Sequence, residues 1–134
     1  MGRILVVDDD DKVRQAICDA LELNGHEIVA AGNGLRALES FSAGAFDLVI
    51  TDIVMPEKEG LETIIELRGL SPDLAILAIS GGGSFVPGGY LKSALMLGAD
   101  KALEKPFSLS LLLETVDELL DRPTPIAAAT ANGR

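Results

Sequence analysis

A chain of 134 residues can fold as one domain around a sizeable core and is too short for two. Its 11 basic and 21 acidic side chains give a formal charge of -10, which argues against nucleic acid as a direct partner because phosphate backbones are held by basic patches. With 48% hydrophobic residues, one cysteine and no bilayer-length apolar stretch, it reads as a cytoplasmic protein with no membrane contact and no internal disulfide.

Arg3 to Val7 is an apolar run that stops at four aspartates, the pattern of a buried parallel strand. A helix follows from Lys12 to Asn24, with Asp11 as its cap, Val13, Ala16, Ile17, Ala20 and Leu21 on one face, and Asn24-Gly25 as its stop. Cys18 falls within it as an inert, half-buried thiol, and His26 reads as an exposed turn residue. Glu27 to Ala31 is the second strand. Leu35 to Phe41 forms a short helix with Leu35, Leu38 and Phe41 inward, and Asp47 to Thr51 the third strand, with Asp52 just past its end. The spacing of Leu61, Ile64, Ile65 and Arg68 predicts a helix over Gly60 to Leu70, broken at Ser71-Pro72. Leu74 to Ile79 is the fourth strand, tipped by Ser80. The segment Gly81 to Gly89 is rich in glycine and lacks the lysine and hydroxyl that end a nucleotide-binding loop, so it predicts a mobile connection to a helix over Tyr90 to Leu97. Lys101 to Leu103 is a short fifth strand, and Ser108 caps a last helix with Leu109, Leu112, Leu113, Val116, Leu119 and Leu120 inward.

Five strands alternating with five helices imply an α/β three-layer sandwich, with a parallel sheet of order 2-1-3-4-5 in the flavodoxin-like manner. The domain spans residues 1 to 121, and residues 122 to 134 have little to bury and predict a disordered tail or linker stub. In such a sheet chemistry gathers beyond the carboxyl ends of the strands, where Asp8, Asp9, Asp52, Ser80 and Lys105 all fall. Three carboxylates facing each other across neighbouring strands call for a divalent ion, and few hard oxygen ligands point to Mg2+. A lysine and a hydroxyl beside them suit phosphoryl oxygens. Together they describe phosphoryl transfer onto Asp52, with its carboxylate as nucleophile.

The segments ILVVDDDD (4 to 11), DLVITDIVMPEKEG (47 to 60), ILAIS (76 to 80) and GADKALEKPF (98 to 107) together resemble a response-regulator receiver domain, the module phosphorylated by sensor histidine kinases. The resemblance implies that Asp52 is the phosphoacceptor, that Asp9 binds Mg2+ directly and Asp8 through water, and that the Val54 backbone carbonyl is a further ligand. It implies that Ser80 and Lys105 hold the phosphoryl group and that Pro106 follows Lys105 in a cis peptide. Its partners would be a sensor histidine kinase or a histidine phosphotransfer protein upstream, and a protein target downstream that meets the fourth helix, fifth strand and fifth helix.

Two positions depart from the family pattern. The aromatic switch residue three places before the lysine is Ala102 here, so a signal passing from Ser80 would have to travel through the Gly81 to Gly89 segment and the helix after it. The positions two after Asp52 and two after Ser80 are Val54 and Gly82, neither of which offers a polar side chain to orient a hydrolytic water, which predicts slow to moderate self-dephosphorylation. A rival is a haloacid-dehalogenase-like Mg2+ phosphatase, hinted at by Asp8-x-Asp10. Against it stand Lys12 where that family wants a hydroxyl, and Pro106-Phe107 where it wants an acidic pair.

Overall fold

The computed structural model describes residues 2 to 53, 60 to 80 and 89 to 121. In chain order the elements are β1 (Arg3–Val7), α1 (Asp11–Leu23), β2 (Glu27–Ala31), α2 (Gly34–Ala43), β3 (Leu48–Asp52), α3 (Gly60–Leu70), β4 (Ala75–Ser80), α4 (Gly89–Leu97), β5 (Lys101–Glu104) and α5 (Leu109–Asp121). All pairings are parallel and the sheet order is β2-β1-β3-β4-β5. The fold class read from the alternating pattern is therefore the one observed.

Alternate strand residues divide the core into two layers, as the period of two requires. Leu5, Val7, Val49, Ile76 and Ala78 pack with Ala37, Ile64, Leu67 and Ala94 from the helices on one face of the sheet. Ile4, Val6, Leu48, Ile50, Leu77 and Ile79 pack with Ile17, Leu21, Leu112 and Val116 on the other. Because both faces are covered, β1, β3 and β4 are apolar almost throughout.

Several local expectations are corrected. Asp10, not Asp11, caps α1, its carboxylate accepting the backbone N–H groups of Lys12 and Val13, because the helix begins one residue earlier than the apolar period suggests. Leu35 is 52% exposed: with Asn33 as cap, the inner face of α2 runs through Gly34, Ala37, Leu38 and Phe41, and Leu35 sits a hundred degrees away. Ile65 is 50% exposed for the same reason, the inward face of α3 being centred on Ile64 and Leu67. Leu109, in the first turn of α5, is exposed, and Thr115 takes a place in the stripe by donating its hydroxyl to the Leu111 carbonyl. Asp52 is the last residue of β3 rather than the one just past its end, and Ser80, at the tip of β4, is that strand's last residue. His26 is buried: the left-handed turn at Gly25 (φ 89°) folds the chain straight back, and the imidazole Nδ1 accepts the Gly2 N–H at 3.0 Å. Cys18 is buried, and burial raises its pKa above the usual thiol value, consistent with an unreactive side chain. Among the described residues no helix is long and apolar enough to cross a membrane.

Arg68 ties two connections together, α3 to β4 and α4 to β5, at the end of the sheet opposite the acidic strand tips. Its guanidinium donates to the carbonyls of Pro72 (2.8 Å) and Gly98 (2.6 Å), donates to that of Leu74, and pairs with Asp100 at 3.0 Å. Asp100 in turn accepts the Ile76 N–H, where β4 begins. Gly98 has φ 134°, and a Cβ there would meet the Arg68 side chain at 3.2 Å, so this turn needs glycine twice over. Replacing Arg68 with alanine leaves half-buried carbonyls and one carboxylate without this donor. The expected cost is about 2 kcal/mol, read in calorimetry as a fall in Tm of roughly 5 to 10 °C.

Candidate functional site

The parallel register sets the carboxyl ends of β1, β3 and β4 side by side. Val7 lies opposite both Ala31 and Thr51, so the residue after it, Asp8, leaves the sheet beside Asp52. Asp52 pairs in register with Ile79, and Ser80 with Glu104, the residue before Lys105. The Lys105 N–H donates to the Ser80 carbonyl at 2.7 Å, which anchors the end of β5 to the tip of β4. The Lys105–Pro106 peptide is cis.

From this edge Lys105 reaches back across the rim. Its Nζ donates to Asp8 Oδ2 at 2.9 Å and to Asp52 Oδ2 at 3.2 Å. Asp8 is 0% and Asp52 5% exposed, so two carboxylates are held almost out of water with one ammonium between them. Burial works against the charged ammonium, but the Asp8 hydrogen bond and the charges of Asp52 and Asp8 outweigh it, and the Lys105 pKa is raised. Asp9 is exposed, and one carboxylate oxygen from each of Asp8, Asp9 and Asp52 lies within 4.8 Å of the others. Three hard oxygen donors at that separation fit a small divalent cation. Ser80 is buried at the end of the adjacent strand, on the same rim. Ala102 is half-buried and packs against the layer containing Ile76, Ala78 and Ala94.

Asp8 is held by each of its polar groups. Its N–H donates to the Ala31 carbonyl (3.2 Å), its Oδ1 accepts the Asp10 N–H (2.9 Å), its Oδ2 accepts from Lys105, and its carbonyl accepts from Arg14 Nη1 (2.7 Å). Arg14 carries no motif signal; its three-residue spacing from Asp11, with which it forms an ion pair on α1, is the one trace of it in the sequence. Val54, the candidate backbone ligand, lies outside the described residues, as do Gly81 to Gly88 of the glycine-rich segment and the tail from residue 122.

The Lys105 ammonium is bonded to both buried carboxylates, so its removal should take away the charge that they share. Lys105→Ala is expected to lose about 2 kcal/mol in metal-free buffer by urea unfolding, and to regain part of it when millimolar Mg2+ is added. A raised lysine pKa contributes stability that is complete below the unfolded-state value of about 10.4 and fades as pH rises through the higher folded value. The gap between wild type and variant should accordingly stay constant from neutral pH to about pH 10 and narrow above it.

A family model described as the response regulator receiver domain matches residues 4–117. Response regulator MprA of Mycobacterium tuberculosis (strain ATCC 25618 / H37Rv) is 39% identical over 127 residues, 95% of this chain and 54% of that protein. The DNA-binding transcriptional regulator NtrC of Azospirillum brasilense is 36% identical over 129 residues, 96% of this chain and 26% of that protein. This chain thus spans about half, or about a quarter, of these curated relatives. Among solved structures, a CheY-like response regulator receiver domain protein from Methanospirillum hungatei JF-1 superposes with a TM-score of 0.83 at 30% identity, covering 90% of this chain and 94% of that one. NtrX from Brucella abortus in complex with ATP gives 0.83 at 31% identity, over 90% of this chain and 27% of that one.

Proposed function

Since the chain belongs to the response regulator receiver domain family of two-component signalling, we propose that it takes a phosphoryl group from a phosphohistidine partner onto Asp52 and changes a protein-binding face in response. The observation that carries this reading is the Lys105 ammonium bonded at once to Asp8 and Asp52, with Asp9 completing a carboxylate cluster at the same rim. An Asp52 carboxylate oxygen attacks the phosphorus, the P–N bond to the donor imidazole breaks with its electron pair left on nitrogen, and an acyl phosphate remains on Asp52. Lys105 needs to shift little from its present position to meet a phosphoryl oxygen, and the Ser80 hydroxyl donates to another.

Both Asp8 oxygens already accept hydrogen bonds, whereas Asp9 is exposed; this supports Asp9 and Asp52 as direct ligands of Mg2+, with the Val54 carbonyl, and Asp8 as a ligand through water. When bound, Mg2+ supplies positive charge against the phosphoryl oxygens. The chain's role is signalling rather than turnover of a substrate. Its upstream partner would be a sensor histidine kinase or a histidine phosphotransfer protein, its downstream partner a protein that meets α4, β5 and α5, and its place the cytoplasm. A dehalogenase-like phosphatase would want a hydroxyl at Lys12 and acids at Pro106 and Phe107, and the site has neither.

Incubation with acetyl phosphate and Mg2+ should add one phosphoryl group by intact-mass measurement, and Asp52→Asn should remain at its starting mass. Repeated hydrolysis of a phosphomonoester, or phosphorylation retained in the variant, would overturn the assignment. With Val54 and Gly82 unable to orient water, the phosphorylated form is expected to persist for minutes or longer without a phosphatase, followed by the loss of the added mass. Decay within seconds would contradict that.

A further inference from the structure

We propose that Arg14 is a positioning residue of the acidic pocket, holding the peptide between Asp8 and Asp9 in the plane that keeps the Asp9 carboxylate within ligand distance of Asp8 and Asp52. The inference rests on the pocket's taking a divalent cation. Asp9 is exposed, so the place of its carboxylate depends on the backbone that carries it. That backbone turns off β1 at the peptide joining Asp8 to Asp9, whose carbonyl accepts Arg14 Nη1 at 2.7 Å. The other arm of the guanidinium, Nη2, is fastened to Asp11 Oδ1 in the first turn of α1. The planar fork therefore braces the turn between β1 and α1 from below, one arm on the peptide that sets Asp9 and one on the helix that follows.

Arg14 is also confined. Its side chain is only 22% exposed, and a Cβ added to Gly32, after β2, would come within 3.6 Å of Nη1. The remaining groups of Asp8 are bonded to Ala31, Asp10 and Lys105, so Arg14 completes the set that fixes this residue.

Charge and geometry predict opposite signs here. Arg14 is a cation close to an acidic cluster, so by Coulomb repulsion alone its removal should tighten binding of a divalent cation. A brace predicts weaker binding, because outer partners of metal ligands are typically worth 10- to 100-fold in affinity. Calorimetric titration of Mg2+ into the full chain is therefore decisive for wild type, Arg14→Gln and Arg14→Lys, each at a temperature where circular dichroism shows it folded. Arg14→Gln should bind about 10-fold more weakly. Arg14→Lys keeps the charge and one donor but not the fork, and should fall between Arg14→Gln and wild type. Unchanged or tighter binding in Arg14→Gln, with wild type binding normally, would overturn the brace and leave the pocket reading intact. Failure of wild type to bind Mg2+ would overturn the pocket reading itself.

Discussion

Two carboxylates at the ends of neighbouring strands, both nearly sealed from water, repel each other unless a cation lies between them. At about 4 Å and an effective dielectric near 20, a pair of like charges repels by roughly 4 kcal/mol, a sizeable part of the whole stability of a small domain. Lys105 meets that requirement from the far side of the rim: its strand, β5, is separated from β3 by β4, and a long flexible side chain is what covers the gap. One ammonium against Asp8, Asp9 and Asp52 still leaves an excess of negative charge on the rim. That excess suits the site to a divalent cation, and the lysine's double attachment fixes its head group between the two buried carboxylates.

The topology explains why side chains so distant in sequence meet. All five strands are parallel, so every carboxyl end points the same way, and right-handed crossovers return the chain to the opposite end each time. Each strand then delivers its last residue, or the one that follows it, to one rim without any local signal linking it to the others. Asp8, Asp52, Ser80 and Lys105 were legible as a group for this reason. An apolar run that stops at a polar residue marks a strand end, and the alternation of strands with helices marks the sheet as parallel. The same periodicity located all ten elements to within a few residues.

What could not be read from the chain depends on angles and approaches that sequence spacing does not encode. Leu35 and Ile65 are apolar residues at helical positions, but a helix that starts one residue earlier or faces its layer a hundred degrees away turns them to solvent. His26 follows a glycine turn, the usual mark of exposure, yet the turn is tight enough to press the imidazole against the backbone of Gly2. Arg14 has the appearance of a surface helix residue paired with Asp11; its second bond, to a main-chain carbonyl, leaves no imprint on the sequence.

Ala102 bears on how a change at the rim could be conveyed outward. Alanine has no ring to swing, and its surroundings are small as well: Ala78 on β4, Ala94 on α4 and Ala99 in the turn after it share one packed layer with Ala102 on β5. Short side chains of this kind let a helix lie close against the strands that it covers. One end of α4 is clamped. At its carboxyl terminus Gly98 is bonded to the Arg68 guanidinium, which also holds Asp100 and the Leu74 carbonyl, at the opposite end of the sheet from the carboxylates. The amino-terminal end of α4 follows the segment leaving Ser80. The Arg68 clamp therefore fixes the carboxyl-terminal end of α4 to the start of β4, so that the two ends of this helix are held by different means: one by a guanidinium shared with Asp100, the other by the chain that comes from the tip of β4.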